Sequence, residues 1–217
     1  MSLTAAVVRN PKQGEVRVRL GALGLSALGL HAAGQVEAVG PEATGFARGD
    51  RVAYRTTFPR SGLRPVVSER ELIGFPKDVS IDQAAALLPL GLLSRTIVKQ
   101  LHTIGKNNRV SVEADELGAH AFVSAWVRDL GGIVVDDGTS SQADVAITAA
   151  DYTVARGWRY AHGFAQQAAS DVFDAVRRGV FAGLAITSYP LGEAEQARDD
   201  LEQSRVAGPI VLLPVAA

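Results

Sequence analysis

Charged and apolar residues alternate along Glu15-Val16-Arg17-Val18-Arg19-Leu20, the period of a strand with one buried face. Further short strand-like runs occupy residues 4–8, 34–39, 51–54, 64–68 and 71–75. Gly40-Pro41 and Gly49-Asp50 turn the chain between them, and Pro76 ends the series. Short strands at close spacing, separated by Gly and Pro, predict a small barrel.

From Ser80 the period changes. Ser80 is placed to cap a helix running through Ala84, Ala85 and Ala86, and Pro89 is expected to break or kink it. A helical run at 92–101 and a short strand at 109–112 follow. Ala119, Phe122, Val123, Trp126, Val127 and Leu130 fall on one face of an amphipathic helix that Gly131-Gly132 ends. Strands at 133–135 and 144–148 complete a strand–helix–strand unit, which predicts parallel pairing through a right-handed crossover. The remainder reads as a helix at 166–178 with Ala169, Val172, Phe173 and Val176 inward, a strand at 181–189, a charged helix at 193–203 and an apolar strand at 209–214.

Composition narrows the chemistry. With 47% apolar residues, 21% charged and a net charge of -1, the chain is built to fold. It has no electrostatic footprint for nucleic acid or an anionic membrane, so neither is expected as a partner. The absence of cysteine excludes disulfides, thiolate catalysis and Cys-ligated metals. His31, His102, His120 and His162 form no closely spaced pair, so no metal site is expected. The longest apolar run, 84–93, stops at Ser94-Arg95, short of a membrane span. The N-terminal residues lack the pattern of a signal peptide, and the expected location is the cytoplasm.

Several stretches resemble a known family. Gly14 to Arg19 is similar to its early strand. Ala33-Gly34-Gln35-Val36-Glu37-Ala38-Val39-Gly40, with Thr44-Gly45-Phe46-Ala47-Arg48-Gly49-Asp50-Arg51-Val52, is similar to its barrel signature. Asp78-Val79-Ser80 with Gln83 to Ala86, and later Tyr189-Pro190-Leu191 with Glu193-Ala194 and Gly208, complete the likeness. On these residues the chain resembles the zinc-independent medium-chain dehydrogenase/reductases, especially quinone oxidoreductases and polyketide enoyl reductase domains. The resemblance implies an α/β fold with a GroES-like β-barrel domain, residues 1–86 plus 165–217, and a reduced Rossmann-like parallel-sheet domain, residues 87–164. It also implies NADPH bound in an interdomain cleft, hydride transfer to an enone or quinone, and homodimers as the form relatives often take.

The chain departs from that family where the nucleotide should bind. In place of a glycine-rich AAxGGVG turn it carries Val110-Ser111-Val112-Glu113-Ala114-Asp115-Glu116-Leu117-Gly118-Ala119-His120. Leu117 and His120 replace motif glycines, and only Gly118 remains. Motif glycines let the backbone approach a pyrophosphate. Glu113, Asp115 and Glu116 add negative charge there, and two unit charges 4 Å apart repel by about 4 kcal/mol at an effective dielectric near 20. Asp136-Asp137 after the next strand disfavours a 2′-phosphate. These features predict that no cofactor is bound.

Candidate chemistry gathers at four places. His31, beside a Gly/Leu-rich turn, has a pKa suited to acid–base work. Tyr54 and Arg55 end a strand that points at the family's cleft, where they would hold a carbonyl or enolate. Those three are the expected catalytic residues, and the plainer alternative is a turn histidine and barrel-rim packing. Trp158, Tyr160 and His162 are the expected substrate-binding residues, or else anchors for a shortened loop. Glu113, Asp115, Glu116 and His120 read either as an acid–base cluster or as carboxylates dressing a helix N-terminus. The sequence thus favours a cofactor-independent cyclisation, isomerisation or elimination of an apolar, polyketide-type small molecule. The alternatives are a divergent NAD(P)H-dependent quinone or enoyl reductase and a non-catalytic binding or partner subunit.

Overall fold

The structure is a computed structural model that describes residues 9–57, 62–113, 118–135, 142–158, 162–206 and 208–214. Its elements are β1 (Glu15–Ser26), β2 (Gly29–Val39), β3 (Arg51–Thr56), β4 (Val66–Ser68), β5 (Ile73–Gly74), α1 (Ile81–Thr96), β6 (Arg109–Val112), α2 (His120–Asp129), β7 (Ile133–Val135), β8 (Val145–Ile147), α3 (Ala149–Gly157), α4 (His162–Arg177), β9 (Thr187–Pro190), α5 (Ala194–Glu202) and β10 (Ile210–Leu213). The strand expected at 4–8 lies outside the described residues. The chain forms two compact units, Met1–Leu87 with Ile186–Ala217, and Leu88–Ala185. The second boundary therefore follows α4 and the turn after it, so residues 165–185 group with the parallel-sheet unit.

In the first unit the strands are ordered β5-β3-β2-β1-β10-β9, with β4 also on β1. The late strands β9 and β10 join the early ones in this sheet. β1 serves three partners because it is long and irregular. Its start pairs with β4 (Glu15↔Ser68) and its end with β10 (Leu23↔Leu212). Register shifts against β2 at Arg17/Val18 and Leu20/Ala22 bend it between those partners. The inward face gathers Val16, Val18, Leu20, Leu23, Ala32, Val36, Val52, Tyr54, Ile210 and Leu212 into one core.

The Gly/Leu-rich stretch before His31 is not an open turn. β1 continues through it to Ser26, turns across Ala27-Leu28 and returns as β2 from Gly29, whose φ is 98°. The end of β1 is buried on consecutive positions, so the alternation that marks a half-buried strand is absent there. His31 consequently lies within a paired strand.

Ser80 starts α1 as expected: its Oγ accepts from the Gln83 N–H at 3.3 Å, and Gln83 Oε1 accepts from the Ser80 N–H at 3.2 Å. Pro89 does not break the helix. A proline lacks the N–H that would reach the carbonyl four residues back, here Ala85. At that carbonyl β1 comes closest: a Cβ on Gly24 would lie 1.9 Å from the Ala85 oxygen. Only glycine fits there. Together with a π-helical turn, Ile97–Leu101, the helix is long and apolar enough to cross a membrane, but 78% of that stretch is buried inside the protein.

In the second unit β6 lies between β7 and β8, all parallel. α2 buries the expected face, Phe122, Val123, Trp126 and Val127, and the Phe181 ring packs tilted on Phe122 and edge-on to Trp126, with centroids 5.1 and 5.9 Å apart. Arg95, 8% exposed, is held by the Asp171 carboxylate at 2.7 Å, which Lys99 also approaches at 3.4 Å. The strand expected over 181–189 shrinks to β9, because 178–183 form turns. The helix α3 was not foreseen.

Candidate functional site

In a parallel sheet, ligands bind outside the carboxyl ends of the strands where the strand order reverses. Here that point lies between β6 and β8, since the chain leaves β6 for β7 on one side and later reaches β8 on the other. The residues at these strand ends are Glu113, Gly118 and the start of α2 from β6, and Thr148 with the start of α3 from β8.

Glu113 is committed to the β8 side. Its N–H donates to the Ile147 carbonyl at 2.9 Å, and its carboxylate accepts from the Ala149 N–H at 3.0 Å. The Tyr152 hydroxyl donates to the Glu113 carbonyl at 3.1 Å. Glu113 thus caps α3. Thr148 and Asp151 cap the same helix reciprocally, and His102 Nε2 lies 2.8 Å from Asp151 Oδ1. Burial opposes ionisation of Asp151, yet the Thr148 N–H and His102 outweigh it and hold the carboxyl below its usual range. The sequence Thr148-Ala149-Ala150-Asp151 is the overlooked signal, a capping box that announces α3.

The start of α2 is different. Gly118 sits at φ 72°, with open space where a Cβ would project, and the first turn of α2 contains no acidic residue. A left-handed glycine leading into a helix N-terminus, at the strand-order reversal, fits the diphosphate of a dinucleotide. The acidic dressing expected on this helix is corrected for Glu113, whose carboxylate serves α3. Asp115, Glu116 and Leu117 lie outside the described residues. His120 opens α2 and is exposed.

The expected trio on the barrel-type sheet separates. Register pairs His31 with Arg55 and Ala32 with Tyr54. Cross-strand partners share a face, and neighbours along a strand face opposite ways. His31 and Arg55 therefore stand together, while Tyr54 faces the core and is 4% exposed. Tyr54, expected beside His31, packs in the core instead, and burial pushes its phenol pKa up. His31 is half-buried, and its Nδ1 has no hydrogen-bond partner among the described residues. Burial first, then the Arg55 charge, lowers the imidazole pKa from 6.5 to about 4, with the Gly29 backbone pulling the other way. Burial and the neighbouring cation thus favour the neutral imidazole.

Trp158 ends α3, its N–H donating to the Ala155 carbonyl, and is 39% exposed. Tyr160 lies outside the described residues, as does the side chain of His162, which opens α4.

A mixed sheet to which the late strand β10 returns and a parallel β7-β6-β8 insert with one strand-order reversal make up the fold. The chain is a shortened relative of the zinc-independent medium-chain dehydrogenase/reductases, and its α/β class is the one expected. It is 31% identical over 172 residues to a quinone oxidoreductase of Pseudomonas aeruginosa, covering 70% of this chain and 52% of that protein. It is 30% identical over 168 residues to a 2-haloacrylate reductase of a Burkholderia species, covering 65% of this chain and 49% of that protein. The chain thus spans about half the length of the curated relatives it matches. Its fold matches the Escherichia coli quinone oxidoreductase in complex with NADPH, with a TM-score of 0.77 at 17% identity over 96% of this chain and 94% of that one. No family profile matches the chain. The expectation of no cofactor is corrected here, since a protein of this fold holds NADPH, which points to a nicotinamide cofactor rather than none.

Proposed function

We propose that the chain is an NAD(P)H-dependent reductase of electron-poor conjugated carbonyl compounds, quinones or enoates. The observation that carries this reading is the left-handed Gly118 leading into α2 at the β6/β8 reversal. The likeness to a quinone oxidoreductase and a 2-haloacrylate reductase supports it, as both names denote substrates with a double bond conjugated to a carbonyl or carboxylate. These comparisons favour a reductase over the cofactor-independent reaction that the sequence first favoured.

NADPH, when bound, supplies the hydride. Gly118 and the first N–H groups of α2 receive its diphosphate. The side chains of Glu113 and Asp151 are engaged at the start of α3. Arg55, exposed on β3, is a cation suited to a carbonyl or carboxylate, and His31 beside it offers a hydrogen bond without a charge. Trp158, with Tyr160 and His162 close by in sequence, provides ring surface for an apolar, polyketide-type substrate. A homodimer in the cytoplasm is the setting that the family resemblance supports.

The test is NADPH consumption at 340 nm with 1,4-benzoquinone and with 2-chloroacrylate. Turnover with either, weakened through KM by Arg55→Ala, is expected. No consumption with any conjugated acceptor would overturn the reading.

A further inference from the structure

The second unit carries an open groove of about 640 Å³, within the size range of small-molecule sites. One wall is the side of α2 formed by Ala121, Ser124, Ala125 and Arg128, spaced i, i+3, i+4 and i+7. The other is the turn after α4, where Val180 and Leu184 add apolar surface. Gly179 and Gly183 keep that wall low: a Cβ on Gly183 would meet nothing within 4 Å.

Two features of the groove are not explained by folding. Ser124 is 4% exposed, and its Oγ has no hydrogen-bond partner among the described residues. The other buried helical hydroxyls, Ser94 and Thr96, bond back to carbonyls of their own helix, at 2.7 and 2.9 Å. A buried hydroxyl without a partner is costly unless something else satisfies it. The second feature is charge. Arg178 is neutralised by Asp129 at 2.6 Å, but Arg128 has no ion-pair partner among the described residues. The groove therefore holds an excess cation at one end. His120 stands two turns of α2 away, about 12 Å along the axis.

We propose that this groove binds a small carboxylate with an aliphatic body. Arg128 holds the carboxylate, Val180, Leu184 and the alanines of α2 cover the body, and Ser124 gains the partner it lacks. The site is independent of the reductase reading above.

The test is calorimetric titration of the whole chain with octanoate, 1-octanol and inorganic phosphate. Octanoate should bind at least about tenfold more tightly than either, because it alone carries both charge and body. Arg128→Ala and Ser124→Ala should each weaken octanoate by about three- to tenfold, and Gly183→Val should abolish binding by filling the groove. All three variants should keep the wild-type melting temperature to within a few degrees. Octanol binding as tightly as octanoate would remove the charge argument, and phosphate binding as tightly would remove the apolar one. Octanoate binding unchanged in Arg128→Ala and Gly183→Val, or absent from the wild type, would overturn the site.

Discussion

Replacing His31 by glutamine removes a buried titrating group without removing the strand that carries it. In the folded chain the imidazole pKa is lowered from 6.5 to about 4 by burial and by Arg55. Between those values the unfolded chain binds a proton that the folded chain refuses. Stability from this source is complete above pH 6.5 and is lost as pH falls toward 4. At about 1.36 kcal/mol per pH unit the full extent is about 3 kcal/mol, of which about 2 kcal/mol falls between pH 7 and pH 4.5. Urea denaturation of the wild type and His31→Gln at these two pH values reads it directly. Other groups titrate alike in both proteins and cancel in the comparison. The wild type should lose about 2 kcal/mol more than the variant. Equal losses, to within about 0.5 kcal/mol, would refute the claim that His31 is buried neutral beside Arg55.

Gly24→Ala should cost several kcal/mol and leave little soluble protein, because its Cβ would sit 1.9 Å from the Ala85 carbonyl oxygen. Asp171→Ala removes the carboxylate that holds the largely buried Arg95 and should cost about 3 kcal/mol by chemical denaturation. Glu113→Ala removes the acceptor at the start of α3 and should cost about 1 kcal/mol by the same assay. A loss close to zero would mean that the Glu113 carboxylate does not cap α3.

The legible parts of the sequence were those where one period dominates. The face of α2 and the Ser80 cap follow from residue spacing and hydrogen-bonding chemistry. Such signals fail where an element is covered on both sides. The end of β1 is buried at every position, so it read as a turn, and His31 with it. Pro89 misled because its missing hydrogen bond falls on Ala85, the carbonyl that β1 approaches through Gly24. The site was half legible. Adjacent residues Tyr54 and Arg55 look like one group in sequence, but strand geometry sends them to opposite faces. The acids after β6 looked like a barrier to phosphate, yet a parallel neighbour, β8, brings α3 close enough for its backbone to claim Glu113. No count of charges along the chain contains that pairing.

The central claim is that the β6/β8 reversal holds a nicotinamide dinucleotide. Calorimetric titration of the purified chain with NADPH and NADH tests it most directly. Binding of at least one, with a Kd of about 100 µM or tighter, is expected. Gly118→Val should weaken it about tenfold or more, since φ 72° excludes a β-branched side chain at the mouth of α2. No binding of either nucleotide at millimolar concentration, or equal binding by Gly118→Val, would contradict the account.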